Sequence, residues 1–137
     1  MTDFFSTMKI STSGMRVQSE RINVIAQNTA NADTAPSKPG ELPYTRKQIS
    51  FKNVLDKTTG QKIVAVDKIT EDKKSDYIKK YMPGHPAADV DGYVQMPNVS
   101  SLVEAMDMKE ASKSYQANMG IFTQTRDMMS KTVDLLR

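Results

Sequence analysis

The stretch Met108–Leu136, "MKEASKSYQANMGIFTQTRDMMSKTVDLL", decides the fold because its apolar residues recur at a helical period. An unbroken apolar row with a spacing of seven runs through it: Met108, Tyr115, Phe122, Met129 and Leu136. A second apolar row lies beside the first: Ile121, Met128 and Leu135. This period is typical of a helix that packs along another helix. From about Ser100 to Leu136 the helix would be roughly 55 Å long, so we expect it to need a partner helix.

The N-terminal end of the chain carries a similar repeat. One apolar row with a spacing of seven consists of Met8, Met15 and Ile22, and a second row consists of Ile10, Val17 and Val24. The polar run Ser11–Gly14 interrupts the pattern and lowers the stability of an isolated helix. We therefore expect this helix too to fold against a partner.

All six prolines lie between residues 36 and 97, so the two ends are free to be long helices while the middle is turns and strands. The sequence predicts three segments: an N-terminal helix with an asparagine motif (1–35), a loop and small β middle (36–98), and a long C-terminal helix (99–137). Strands are expected at 44–51 and 62–69, with a third within 76–82 and loops over 83–98. The predicted fold is mainly α with a small β-rich middle, and its terminal helices pack as a coiled coil.

Composition excludes several classes of protein. Of the 137 residues 38% are hydrophobic, none is tryptophan or cysteine, and the mean hydropathy is −0.53, so a large private core is not expected. The net charge of +3 comes entirely from residues 36–98, where acidic residues are interspersed, so we expect a solvated surface rather than a nucleic-acid site. No apolar run is long enough for a signal peptide or a membrane span, and the sequence predicts neither.

Residues with catalytic or metal-binding chemistry are sparse. His85 is the only histidine, and a zinc site normally needs more nitrogen or sulfur ligands than one. The run Asp89–Tyr93 lacks the downstream glutamate of a calcium loop and is interpreted as a tight turn. No nucleophile elbow or phosphate loop is present. Glu104 and Asp107 are interpreted as charges that complement the start of the C-terminal helix. The sequence therefore predicts no enzyme, no cofactor and no metal.

The end of the first helix is unusual, since "IAQNTANADT" (residues 25–34) places two asparagines among small residues. Asn28 and Asn31 lie three apart on one helical face, and each amide donates and accepts hydrogen bonds. Small Ala30 lets another backbone approach. The residues alone leave two interpretations open, an ordinary asparagine helix cap and a polar contact with a neighbouring chain.

The same segment carries a family resemblance. The run Met15–Thr34, "MRVQSERINVIAQNTANADT", resembles the N-terminal signature of flagellar basal-body rod proteins, whose centre has the form N-x-A-N-x-x-T. The runs "HPAADVDGYVQMPNV" (85–99) and "SYQAN" (114–118) are similar to the proximal-rod members in particular. Two departures stand out: Thr29 replaces the usual leucine or isoleucine, and the loop "APSKPGELP" after Thr34 is unusual. The resemblance covers nearly the whole chain.

The resemblance implies a structural subunit of the proximal rod, which assembles with other rod proteins into a helical tube that transmits torque and passes exported axial proteins. It implies other copies of the chain, proximal and distal rod proteins, a rod-to-ring adaptor and the flagellar type III export apparatus as partners. It also implies a rod that spans the periplasm, reached without a cleaved signal peptide. The expected subunit-packing residues are Met8, Met15, Ile22, Met108, Tyr115, Phe122, Met129 and Leu136. The expected motif and inter-subunit contacts are Asn28, Ala30, Asn31, Thr34, Asn98, Gln116 and Asn118.

A different class of protein also fits the pattern. A soluble coiled-coil adaptor or binding module would dimerise through the C-terminal helix and present the basic middle to an acidic partner. Such a protein would be a stable dimer with a salt-dependent ligand, whereas a rod subunit would gain helix on assembly.

Overall fold

The computed structural model describes residues 2–58 and 60–135. Two long helices flank four short strands: α1 Thr2–Asn31, β1 Lys47–Leu55, β2 Lys62–Glu71, β3 Ile78–Tyr81, β4 Tyr93–Met96 and α2 Ser101–Leu135. The predicted fold class, mainly α with a small β-rich middle, is confirmed.

The strands form two separate two-stranded sheets, β1 with β2 and β3 with β4. The β1–β2 pair is an antiparallel hairpin, since Asp56 N–H donates to the Gln61 carbonyl near the turn (2.8 Å) and Asp72 N–H donates to the Arg46 carbonyl at the open end (2.7 Å). In the antiparallel β3–β4 pair, Ile78 lies opposite Met96.

Strand β4 was not predicted, because its region was interpreted as loop. Its four residues alternate strictly, with Val94 and Met96 buried and Tyr93 and Gln95 exposed. This period-two pattern is too short to stand out between the flanking turn signals. Gly92 supplies one of those turns at φ +80°, where a Cβ atom would lie 3.0 Å from the Tyr81 ring. A glycine is therefore required there both by conformation and by space.

The chain divides into two compact units, and each helix contributes to both. Unit 1 contains the described parts of 1–22, 49–68 and 109–137, and unit 2 contains 23–48 and 69–108. In unit 2 a buried cluster of Ala87, Val94 and Met96 forms a small core.

Within unit 1 the two helices run antiparallel and approach closely. A Cβ atom on Gly14 of α1 would lie 2.8 Å from the side-chain nitrogen of Asn118 in α2. Further along α1, Arg21 forms an ion pair with Glu110 at 3.3 Å, earlier in α2. The buried positions here are small or polar: Ser6, Ser11, Val17, Ala111 and Thr125.

Candidate functional site: a buried polar network

Asn28 lies in the last part of α1 and is only 1% exposed. Its Nδ2 donates to the Lys47 carbonyl (2.9 Å), and its Oδ1 accepts from the Lys47 N–H (2.9 Å). One side-chain amide thus satisfies both backbone groups of one residue, as a neighbouring strand would. This double contact fixes the start of β1 against α1.

The rest of the Asn28 amide is also used within the chain. Its second Nδ2 hydrogen is directed at Glu104 Oε2 (3.2 Å), and its Oδ1 also accepts from the Tyr44 hydroxyl (2.9 Å). An amide has two donor hydrogens and two acceptor lone pairs, so its capacity is filled. The Asn28 amide is thus satisfied within the chain, and it does not cap the helix, because α1 continues to Asn31. An inter-subunit role for Asn28 stays a prediction.

Glu104 is completely buried, at 0% exposure, in the first turn of α2. Arg46 Nε donates to its Oε1 at 2.6 Å, and another Arg46 nitrogen reaches Asp107 at 3.3 Å. An unpaired carboxylate would be very costly at this depth, so the Arg46 guanidinium is what makes the position tolerable. Glu104 lies at the start of α2, as interpreted from the sequence, but its complete burial was not predicted.

Asn98, like Asn28, uses its side-chain amide to bind backbone groups at the start of β1, but from the side that faces β2. Its Oδ1 accepts from the Arg46 N–H (2.8 Å), while its Nδ2 donates to the carbonyls of Asp72 (2.8 Å) and Ser75 (3.2 Å). Asn98 is 9% exposed. Its amide holds the start of β1 to the turn after β2. The inter-subunit role expected for Asn98 stays a prediction.

We call Asn28, Tyr44, Arg46, Lys47, Asn98 and Glu104 the Asn28 network. Burial raises the pKa of the Tyr44 hydroxyl, and the negative charges of Glu104 and Glu71 raise it further. The phenol therefore stays protonated and keeps donating to Asn28. Beside the network, hydrogen bonds from the Ser75 hydroxyl and the Lys74 N–H lower the pKa of Asp72.

The chemistry of the Asn28 network is structural. It contains amides, a phenol and a paired ion, but no nucleophile next to a base. Among residues 2–58 and 60–135, no group of three or more His, Cys, Asp or Glu side chains is arranged to hold a metal ion. No helix in the described part of the chain is long and apolar enough to cross a membrane.

The other residues of the predicted motif lie outside the network. Ala30 and Thr34 are exposed, and Asn31 donates from Nδ2 to the Gln27 carbonyl at 2.8 Å. In α2 Gln116 is exposed. Asn118 lies close to Gly14 of α1, and its side chain donates to the Ser114 carbonyl at 3.0 Å. An inter-subunit role for these residues stays a prediction.

The two apolar rows that contain the expected subunit-packing residues lie between surface and interior. Seven of their residues are half-buried: Met8, Met15, Ile22, Met108, Tyr115, Phe122 and Met129. Leu136 lies outside the described residues. The deepest residues of α2 form another row with the same spacing, Glu104, Ala111 and Thr125, with half-buried Asn118 between the last two. The subunit-packing role expected for the two apolar rows stays a prediction.

Sequence reasoning missed Tyr44, Arg46 and the burial of Glu104. A signal was available for the glutamate, because it stands seven residues before Ala111 in a helical row. For Arg46 there was none, since an arginine next to a strand is ordinary surface chemistry.

Comparison with known proteins gives one family model and several relatives. The model described as "Flagellar basal body rod FlgEFG protein C-terminal" matches residues 90–135. A flagellar basal-body rod protein FlgC from Agrobacterium fabrum is 43% identical over 100% of this chain and 98% of its own length. Proteins of the same name from Salmonella typhimurium (40% identity, 92% of both chains) and Bacillus subtilis (35% identity, 96% of this chain and 97% of the relative) are also similar.

Proposed function

The chain belongs to the family of the flagellar basal-body rod protein FlgC, a structural component of the rod, and from that premise we propose how it assembles and with what. The subunit joins other copies of itself and other rod proteins, both proximal and distal, into a helical tube. Contacts between different surfaces of successive subunits generate helical filaments when they do not close into a ring.

The observation that carries this proposal is the half-burial of the row Met8, Met15 and Ile22 and of the row that runs from Met108 to Met129. In the single chain these side chains remain partly accessible, although their spacing of seven suits helix–helix packing. Completing their burial against neighbouring helices would favour assembly at roughly 25 cal/mol for each Å² removed from water. The terminal segments 1–35 and 99–137 would thus form the inner part of the tube, and the middle segment 36–98 would face outward or contact neighbours along the rod.

The proposed role is mechanical and involves no catalysis. The rod spans the periplasm, transmits torque and lets axial proteins pass through its channel. The chain would reach it through the flagellar type III export apparatus without a cleaved signal peptide, and a rod-to-ring adaptor would join it at the base. The fixed geometry of the Asn28 network supports such a role, because saturated buried polar contacts define one arrangement of the chain.

The test is a charge placed in the α2 row. Phe122→Asp in cells that lack the native chain should leave less than about a tenth of the normal number of rods, because an unpaired charge is costly in a buried seam. Thr123→Asp, one residue on and exposed, is the matched control and should support normal motility. Electron microscopy of isolated basal bodies counts the rods.

Two results would contradict the proposal. Normal rods and motility with Phe122→Asp would show that the row does not pack between subunits. A purified chain that forms a stable dimer with a salt-dependent acidic ligand would instead favour the adaptor.

A further inference from the structure

A groove of about 550 Å³ lies in unit 1 between α1 and β2, and the Asn28 network does not use it. Its apolar lining comes from Val17 and from residues 63–66 of β2, while Lys9 and Arg16 lie at its polar side. The four β2 residues are half-buried, so their apolar surface remains accessible along the groove. An accessible apolar groove of this size with charged residues beside it is typical of a surface that binds a partner.

The same unit carries an apolar stripe that its own chain leaves uncovered. Ile121, Met128 and Leu135 are spaced by seven on one face of α2 and are 48%, 50% and 88% exposed. We call these three residues the α2 stripe. Since the groove is open and the stripe exposed in the same chain, one copy does not use its stripe to fill its own groove. A second copy of the chain carries both missing surfaces.

We propose that the α1–β2 groove of one subunit binds the α2 stripe of another copy of the chain. The inference rests on the proposed function and names the contact by which two copies join. Because the groove and the stripe are different surfaces, each bound subunit still offers one free groove and one free stripe. The contact therefore extends a chain of subunits rather than closing a dimer.

Dimensions and charge both support this pairing. The α1 wall of the groove, from Lys9 to Glu20, is about 17 Å long, and the stripe from Ile121 to Leu135 is about 21 Å long, at 1.5 Å per residue. Arg16 is exposed and makes no ion pair with any described residue. The stripe brings acidic residues, Asp127 and Asp134, each directly before one of its apolar residues. Lys9 is already paired with Asp56 (2.6 Å) and Asp127 with Arg126 (3.1 Å), and Glu20 also lines the groove. The complementary charges available for docking are therefore Arg16 in the groove and Asp134 beside the stripe, and their attraction sets the direction of docking.

The absence of cysteine from the natural sequence makes a cross-linking test unambiguous. Two differently tagged chains, one with Val64→Cys in the groove and one with Met128→Cys in the stripe, are expressed together in cells that lack the native chain. Basal bodies are isolated and treated with a short bis-maleimide. We expect the mixed-tag product to exceed the control by at least about tenfold, because docking raises the effective concentration of the two thiols.

The matched control replaces Met128→Cys by Ser130→Cys. Ser130 is exposed and lies about 200° around α2 from Met128, on another face of the same helix. Equal yields from the two pairs would overturn the docking proposal. Predominant products between two Met128→Cys chains would also overturn it, because the stripe would then pair with itself.

The location of the tagged chains separates the two proposals. Tagged chains in the basal bodies without the groove–stripe product would refute the docking contact and leave the rod function standing. Tagged chains absent from basal bodies of motile cells would refute the rod function and the docking contact together.

Discussion

Units 1 and 2 contain similar secondary structure but are stabilised differently. Unit 2 holds seven of the nine buried hydrophobic residues in the described part of the chain, and it also contains the Asn28 network. Unit 1 holds only Val17 and Ala111, and its other buried positions, including Ser6, Ser11 and Thr125, are hydroxyl residues. Burial of apolar surface supplies most of the favourable free energy of folding. Within one chain, unit 1 therefore gains much less stability from apolar burial than unit 2.

This difference in apolar burial indicates which part of the chain depends on partners. Unit 2 combines a small apolar core with a buried ion pair, the saturated amide of Asn28 and the amide of Asn98 with its three hydrogen bonds. Its arrangement is therefore defined by the chain itself. Unit 1 keeps its helices close through small side chains but leaves the α2 stripe and the α1–β2 groove uncovered. We therefore expect amide protection against exchange to be stronger in unit 2 than in unit 1 of the purified chain.

The largest expected effect comes from breaking the ion pair in unit 2. Arg46→Met removes the partner of the fully buried Glu104 and should lower the free energy of unfolding of unit 2 by about 3–5 kcal/mol. Native-state hydrogen exchange in low urea, followed at the amides of unit 2, measures this loss of unfolding free energy. The control Lys79→Met removes an exposed positive charge from β3 and should change stability by less than about 0.5 kcal/mol.

A companion variant sharpens this prediction. Arg46→Met combined with Glu104→Met removes both charges and should recover much of the loss, since an apolar pair often replaces a buried ion pair without cost. If Arg46→Met alone were as stable as Lys79→Met, Glu104 would not be a buried charge that needs its partner.

The next effect concerns the amide at the centre of the network. Asn28→Ala leaves the Lys47 N–H and carbonyl and the Tyr44 hydroxyl without their partner, which should cost about 2 kcal/mol. Urea denaturation followed by circular dichroism measures the loss. Asn31→Ala, which removes one bond to the Gln27 carbonyl, is the control and should cost about 0.5 kcal/mol. Equal losses would refute the special position of Asn28.

A smaller effect tests the close helix approach in unit 1. Gly14→Ala adds about 1 kcal/mol of helix propensity but pushes the Asn118 side chain away from the Ser114 carbonyl, so the net change should be near zero. Gly120→Ala, which has open space around it, should keep the full gain of about 1 kcal/mol. Thermal unfolding compares the two. If both variants were stabilised alike, the helices would not approach closely at Gly14.

Periodic features of this fold could be predicted from the sequence, and long-range polar contacts could not. The spacing of seven through Tyr115 and Phe122 identified α2 because helical periodicity is a local property. Strand β4 was missed because four alternating residues give too short a signal. The Asn28 network was missed because it joins residues up to 76 positions apart, such as Asn28 and Glu104. No local pattern indicates that a glutamate in the first turn of a helix will meet an arginine that precedes a strand far away in the sequence.

The smallest effect is a pH dependence at the edge of the Asn28 network. Burial, with Glu104 and Glu71 nearby, raises the pKa of Tyr44 in the folded chain, so folding favours the protonated phenol. The stability from this group is complete below the unfolded pKa and is lost as the pH rises through about 10 toward the raised folded value. Unit 2 protection, measured from pH 8 to 11, should therefore fall at the alkaline end, and Tyr44→Phe should flatten that fall. Tyr81→Phe, an exposed position in β3, serves as the control and should leave the fall in place. An unchanged alkaline loss in Tyr44→Phe would mean that another group causes it.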